Sequence, residues 1–204
     1  MSEPQAKAQF DLSGGNLALD FVNTVSHRPT LAIERLPDYR SLVAFGMQAR
    51  VYPSNVDKLL NRDNLLPGQG KNVLQRAVQF REALYAIFSA IAEHRTVPGK
   101  PFTLLNSTLQ EAMTHGMVLP DNRRFIWQWI GMDTHMDSIL WPIARSAANL
   151  LLNPDLAHLR MCAAEDCAWL FLDHTKNQRR RWCDMKVCGN RVKARRYYER
   201  VKAE

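Results

Sequence analysis

Four cysteines near the C-terminal end of the chain form two close pairs, and no other cysteine occurs among its 204 residues. They are Cys162, Cys167, Cys183 and Cys188, which gives the spacing C-x4-C-x15-C-x4-C. Two such pairs, separated by a loop, place four thiolates around one tetrahedral zinc ion. The spacing therefore predicts one zinc ion, bound by all four cysteines in a small C-terminal module.

A zinc ion held by four cysteines has a closed coordination shell, so this site is predicted to be structural and not catalytic. The alternative is a pair of disulfide bonds, which requires an exported protein. The first residues have no apolar core of the kind found in signal peptides. The longest nearly apolar run, Ala83–Ala92, is too short to cross a bilayer. We therefore expect a cytoplasmic protein.

Positive charge is concentrated in the same region as the cysteines. The whole chain has 27 basic and 20 acidic residues, a net charge of +7, and residues 160–204 hold 12 of the basic but six of the acidic ones. A local cationic surface attracts nucleic acid through counterion release, although basic residues also keep small domains soluble. We expect contact with nucleic acid through these residues: Lys176, Arg179, Arg180, Arg181, Arg191, Lys193, Arg195, Arg196 and Arg200.

The order of elements within this region predicts a treble-clef-like finger. Residues 169–173 are typical of a short strand, and the polar residues 174–178 are typical of a hairpin loop. After Cys188, apolar residues recur at helical spacing, namely Ala194, Tyr197, Tyr198 and Val201. That helical periodicity argues against the alternative of an all-β zinc ribbon. Basic residues flank the apolar stripe on both sides.

The segment from Cys162 to Arg195 resembles the CGNR zinc-finger family, named for the motif that stands here as Cys188-Gly189-Asn190-Arg191. The resemblance includes Phe171-Leu172-Asp173, Arg180-Arg181-Trp182-Cys183 and Met185. Two positions, Ala168 and Thr175, depart from the glycine and serine of many members. The resemblance implies the same four zinc ligands and a role in binding nucleic acid.

A second resemblance lies near the start of the chain. Residues Gly14–Thr24, with the sequence GGNLALDFVNT, are similar to the signature of the ABATE domain, which often precedes a CGNR finger. This implies a bacterial regulator of transcription related to stress responses, with a ligand-sensing N-terminal domain. Together the matches predict two domains, 1–155 and 156–204.

Hydrophobic periodicity predicts that the N-terminal domain is mainly α with a small β-hairpin. Helices are expected over residues 38–50, 53–62, 71–95, 102–113 and 139–152, and strands over 117–119 and 124–130. Asn153-Pro154 is expected to end the last helix. Three aromatic residues, Phe125, Trp127 and Trp129, alternate along the second strand. They form either core packing or the wall of a ligand pocket.

Asp20 and Asn23 lie three residues apart within an apolar segment, so they share one helical face. With Thr24 they form a candidate ligand pocket. The alternative is that Asp20 and Asn23 brace a turn through hydrogen bonds.

The sequence contains none of the common catalytic motifs, and its six histidines are scattered, so no enzyme activity and no catalytic residues are expected. The leading interpretation is a DNA-binding regulator of transcription, with an N-terminal domain that senses a ligand or partner. Two alternatives remain: an RNA- or ribosome-associated protein, and a protein–protein interaction module with a structural zinc.

Overall fold

In the computed structural model, which describes residues 10–52, 56–66 and 68–203, helices dominate the chain and the strands are short. The helices are α1 (Leu17–Val22), α2 (Tyr39–Gln48), α3 (Asp57–Leu65), α4 (Gln69–Ala92), α5 (Gly99–Met113), α6 (Leu140–Leu152) and α7 (Asn190–Ala203). The strands form three antiparallel pairs in the described residues: β1 (Val25–Ser26) with β2 (Ile33–Glu34), β3 (Gly116–Asp121) with β4 (Arg124–Trp129), and β5 (Leu159–Met161) with β6 (Leu170–Leu172). The predicted mainly α fold with a small hairpin and a C-terminal zinc finger is confirmed.

Helix ends follow the capping residues in the sequence. Asp38 accepts a hydrogen bond from the backbone of Ser41, whose hydroxyl lies within hydrogen-bonding distance of the Asp38 backbone, so α2 begins with a capping box. Asn16 caps α1 through its side chain. Asn153 ends α6 and caps the 3-10 turn that Pro154 begins. The helix expected from Pro53 is observed as α3, and Pro53 itself lies outside the described residues.

The main core is built around α4, the longest helix. It packs against α1, α2, α5 and the finger strand β5. Large side chains fill the space between these elements, among them Phe21, Phe45, Phe80, Phe88 and Trp141, each at most 2% exposed. Burial of such side chains contributes about 1.5–3 kcal/mol each, which makes this cluster the main stabilising feature.

An ion pair between a buried arginine and a partly exposed glutamate connects α4 to β2. The guanidinium of Arg81, 2% exposed, donates two hydrogen bonds of 2.7 Å to the carboxylate of Glu34 and one of 3.1 Å to Thr24 Oγ1. Burial alone would lower the pKa of Arg81, but the two carboxylates of Glu34 and Glu82 outweigh it and raise that pKa. Arg81 therefore stays charged and holds Thr24, two residues after the end of α1.

The β3–β4 hairpin is where the sequence-based expectation is least accurate. Its register pairs Gly116 with Trp129 and Asp121 with Arg124, as an antiparallel hairpin requires. Phe125 is 78% exposed, and Trp127 stacks against Arg145, so the aromatic face as a whole is not core packing. Only Trp129 packs against the main core. Neither expected role describes the whole face, because the hairpin extends away from the helices and only its base reaches the core.

Candidate metal centre and nucleic-acid interface

The four cysteines lie beside or within three elements of the finger. Cys162 follows β5 and Cys167 precedes β6, so the first pair occupies the connection between two paired strands. Cys183 precedes, and Cys188 lies within, a π-helical turn (Met185–Gly189) that leads directly into α7. The strand pair flanks the first cysteine pair. Residues 174–178 therefore turn the chain within an irregular loop and not within the expected hairpin.

The sulfur atoms are positioned for one tetrahedral metal ion. All four Sγ atoms lie within 4.8 Å of one another and all four side chains are buried. The Sγ atoms of Cys167 and Cys183 are 3.6 Å apart, and those of Cys183 and Cys188 are 3.5 Å apart. Tetrahedral zinc with Zn–S bonds of about 2.3 Å requires sulfur separations of about 3.8 Å. The four cysteines therefore fit one structural zinc ion with four ligands, as predicted.

Two residues of the CGNR motif have close contacts at this site: Gly189 lies against Met185, and Arg191 lies beside Cys188. A Cβ on Gly189 would lie 2.5 Å from Met185 Sδ, so a larger residue at this position would require the exposed Met185 side chain to move. Arg191 Nη2 lies 3.4 Å from Cys188 Sγ and donates a hydrogen bond of 2.9 Å to Asp166 Oδ1. Burial opposes the charge of Arg191, yet Cys188 and Asp166 raise its pKa overall. Arg191 thus offsets part of the negative charge of the thiolates.

Asp173 organises the loop that joins the two cysteine pairs, a role that sequence reasoning did not assign. Its buried carboxylate accepts hydrogen bonds from the backbone and hydroxyl of Thr175 and from the backbone of Arg180. Burial alone would raise the pKa of Asp173, but these hydrogen bonds lower it. The Asp-x-Thr spacing, which is typical of an Asx turn, is the signal that identifies it.

Three of the predicted nucleic-acid contacts have guanidinium groups that bind within the finger. Arg180 stacks on Phe171 at 4.4 Å and donates hydrogen bonds to the carbonyls of Trp182 and Cys183. Arg191 is bound as described above. Arg195 forms ion pairs of 3.2 Å with Glu165 and 3.4 Å with Asp166. These three side chains hold α7 and the connecting loop against the first cysteine pair.

The other six predicted contacts are exposed, and none of them forms an ion pair with any described residue. They are Lys176, Arg179, Arg181, Lys193, Arg196 and Arg200. Three lie in the loop between the cysteine pairs. The other three, Lys193, Arg196 and Arg200, follow one another at steps of three and four along α7, so they share one flank of the helix.

The apolar stripe of α7 faces solvent and does not pack on the finger. Tyr197, Tyr198 and Val201 are 56%, 65% and 51% exposed. Val192, in the first turn, is an apolar residue of α7 that packs against the buried cysteine cluster. The helix therefore projects beyond the finger, with a tyrosine-bearing stripe beside one free basic flank, while Arg191 and Arg195 anchor the opposite flank.

The signature segment (Gly14–Thr24) forms the surface on which the finger rests. The Asn23 side chain donates a hydrogen bond of 2.8 Å to the carbonyl of Leu170 and accepts one of 3.0 Å from its amide. The Leu172 amide donates to the carbonyl of Gly14 at 3.0 Å. The indole of Trp169 donates to the carbonyl of Val25. These contacts complete the edge of β6 that β5 leaves free.

The three candidate pocket residues differ in what they bind. Asn23 is buried and has the bracing contacts just described. Thr24 is also buried; its hydroxyl donates to the Phe21 carbonyl and accepts from Arg81. Asp20 is half-buried, accepts a hydrogen bond of 2.8 Å from the Gly14 amide, and lines a cleft of about 280 Å³. Both alternatives, pocket and brace, therefore have a geometric basis here.

The strands of the finger also contribute to the main core. Leu159, Leu170 and Leu172 belong to the same buried cluster as the helices, whereas the cysteines and Phe171 form a second, smaller cluster. The proposed division at residue 155 stays a prediction. The packing shows that strands on the C-terminal side of this boundary share apolar contacts with the helical part.

Comparison with known families agrees with this arrangement of residues. The model of the ABATE family, described as "Putative stress-induced transcription regulator", matches residues 15–154. That match covers more than half of the chain. The chain belongs to the ABATE family. The CGNR zinc finger matches residues 158–201. Comparison with curated proteins finds no significant match.

Membership of the ABATE family confirms the resemblance seen in Gly14–Thr24. The CGNR match contains all four cysteines. The two family matches meet between residues 154 and 158, at the turn that follows α6. One residue of the finger departs from the family pattern in a conformation that favours glycine: Ala168 has φ of 59°. Among the described residues, no helix is long and apolar enough to cross a membrane.

Proposed function

We propose that this member of the ABATE family is a cytoplasmic DNA-binding regulator of transcription in stress responses. Its zinc finger binds DNA, and its N-terminal domain senses a small molecule beside Asp20, Asn23 and Thr24. The exposed face of α7 is the observation that supports DNA binding: a free basic flank of Lys193, Arg196 and Arg200 lies beside exposed tyrosines. A helix of this kind fits the major groove of duplex DNA and contacts phosphates along its edge.

The ion pairs of the finger decide which basic residues are available for phosphate. Arg180, Arg191 and Arg195 are bound to carbonyls or carboxylates within the finger. The proposed interface therefore consists of the six remaining cations, from Lys176 to Arg200. For four to six phosphate contacts, the logarithm of the binding constant should fall with the logarithm of salt concentration at a slope of about −4 to −5.

We also propose that the protein has no catalytic activity. Four cysteine ligands leave a bound zinc ion no open position for water or substrate, which catalytic zinc sites require. The zinc ion then serves to fold the finger and to hold α7 in place.

Adjacent residues on opposite flanks of α7 provide a matched test. Arg196 is exposed and unpaired within the described residues, whereas Arg195 binds Glu165 and Asp166. Arg196→Ala should weaken binding to every duplex sequence and reduce the steepness of the salt dependence by about 0.9, the loss of one phosphate contact. Arg195→Ala should leave that slope unchanged. Fluorescence anisotropy with a labelled duplex, at several salt concentrations, measures both.

The same titrations separate the alternatives. Tighter binding to RNA than to duplex DNA at equal salt would support an RNA-associated role. No affinity for any nucleic acid at low salt would support a protein interaction module. Equal slopes for the two arginine variants would reject the proposed face of α7.

A further inference from the structure

A two-lobed cleft lies between the signature segment and the first cysteine pair, and we call it the junction cleft. Its larger lobe, about 280 Å³, is bordered by Asp20, Asn23 and Thr24. Its smaller lobe, about 120 Å³, is bordered by three of the zinc-binding cysteines. Asp11, Arg35 and Trp169 border both lobes, so the two lobes are adjacent. The helical part and the finger each contribute one wall.

The junction cleft is acidic although the chain as a whole carries a net charge of +7. Four carboxylates border it, those of Asp11, Asp20, Asp166 and Asp184, against the two guanidinium groups of Arg35 and Arg191. Arg191 is already paired with Asp166. A zinc ion with four thiolates adds a formal charge of about −2 beside the smaller lobe. The balance of charge in the cleft therefore favours a cationic occupant.

Asp20 offers such an occupant an unused oxygen. Its Oδ1 accepts the hydrogen bond from Gly14, and its Oδ2 accepts none from the described residues. Burial, with the nearby charge of Asp11 as a smaller contribution, raises the pKa of Asp20 to about 6 even though the Gly14 amide lowers it. At neutral pH the Asp20 carboxylate is therefore mostly ionised, although its burial destabilises the charged form. A cation beside it would reduce that cost.

The remaining walls match an organic cation better than a metal ion. The larger lobe is bordered by the rings of Phe10 and Trp169, and aromatic faces attract ammonium groups.

We propose that the junction cleft binds a small aliphatic amine, with an ammonium group on Asp20 and the hydrocarbon part against Trp169. This inference rests on the proposed sensing role and gives it a class of ligand. An amine in this position contacts the signature segment and the finger at once. Its binding therefore stabilises the junction between the helical part and the zinc centre.

The test uses the zinc-bound full chain and 1,4-diaminobutane as the probe, in phosphate buffer at pH 7.5, without nucleic acid. Thermal unfolding is compared with that in sodium chloride of equal ionic strength and in sodium butyrate. At ten times the dissociation constant, the diamine should raise Tm by about 3–6 °C. The two sodium salts should not produce this increase, because neither supplies an ammonium group.

Two variants should change the affinity in opposite directions. Asp20→Asn keeps the oxygen that accepts the Gly14 hydrogen bond but removes the charge, so diamine affinity should fall about tenfold or more. Arg35 is exposed at the rim, where its guanidinium forms a long contact of 3.5 Å with Ser26 Oγ. Arg35→Ala should therefore strengthen binding about two- to fivefold. Asp121→Asn, on the exposed β3–β4 hairpin, is the matched control and should change nothing.

Calorimetric titration of the wild-type chain provides a second measurement that does not depend on the variants. A Tm that rises no further with diamine than with sodium chloride, together with no heat of binding, would overturn the proposal. Equal affinities for wild type, Asp20→Asn and Asp121→Asn would overturn the assignment to this cleft. Neither outcome bears on DNA binding, which is measured without amine, so the two proposals fail separately.

Discussion

Asn23 is the side chain that connects the ABATE signature to the zinc finger, and its replacement by alanine tests how much this connection stabilises the protein. The side-chain amide of Asn23 is 4% exposed. It satisfies both the amide and the carbonyl of Leu170, which is 147 positions away along the chain. Asn23→Ala removes both hydrogen bonds without removing the backbone groups that formed them.

The expected loss of stability depends on the Leu170 amide and carbonyl, which remain without a partner in the variant. Each buried backbone group left without a partner costs about 1–3 kcal/mol. Two such groups would cost about 2–6 kcal/mol, and water entering the space left by the side chain would bring the loss toward the lower end. We expect the free energy of unfolding to fall by about 3 kcal/mol, which corresponds to a decrease in Tm of about 6–12 °C for a chain of this size.

Urea unfolding, followed by tryptophan fluorescence, measures the change in stability. A second measurement follows the rate at which a chelator removes zinc, which should increase because Leu170 lies three residues after the ligand Cys167. Asn106→Ala is the control, since Asn106 is exposed on α5 and its side chain forms no hydrogen bond with the described residues. A loss below about 0.5 kcal/mol for Asn23→Ala, with unchanged zinc release, would refute the bracing role.

Three further changes have definite expected results. Cys183→Ser should abolish zinc binding and lower the Tm of the helical part by about 5 °C, because finger leucines belong to its core. Asp20, whose pKa is raised by burial to about 6, should make the folded state less stable as pH rises from 4 to 7. Asp20→Asn should remove that loss, so its stability relative to wild type should increase by about 2.4 kcal/mol over this range in amine-free buffer. Arg81→Ala should cost about 2 kcal/mol, because the buried Thr24 hydroxyl loses a donor and the partly exposed Glu34 loses its charged partner.

For each of these three expectations, one outcome would contradict the reasoning. An unchanged Tm of helix unfolding in Cys183→Ser, measured by circular dichroism, would show that the two parts fold independently. A pH-independent difference between Asp20→Asn and wild type would show that Asp20 titrates normally in the folded protein. For Arg81→Ala, a loss within 0.5 kcal/mol, typical of exposed positions, would show that the ion pair contributes little.

The helices were predictable to within a few residues because their signals are local. The expected helix over 71–95 is observed as Gln69–Ala92, and the one over 139–152 as Leu140–Leu152. Helical periodicity and capping residues act within one or two turns, so they can be read without knowing the tertiary contacts. The two-residue strands β1 and β2 were not predicted, since segments that short carry no periodic pattern.

The zinc ligands were predictable for a related reason, because their spacing reflects the turn that each pair closes. The choice among basic residues was not. Arg195 and Arg196 are neighbouring arginines, but Arg195 binds Glu165 whereas Arg196 faces solvent. That difference depends on where α7 lies relative to the first cysteine pair. Likewise, no pattern of spacing could indicate that Asn23 would pair with Leu170.

The sequence by itself determined the metal, its four ligands, the positions of the main helices and the uneven distribution of charge. The tertiary structure decided which cations remain free, which polar residues brace the finger, and that an acidic cleft lies between two parts of a basic chain. The physical reason is the range of the interactions involved. Capping, periodicity and chelation act between neighbours in the chain, whereas ion pairs, edge hydrogen bonds and clefts join residues that only folding brings together.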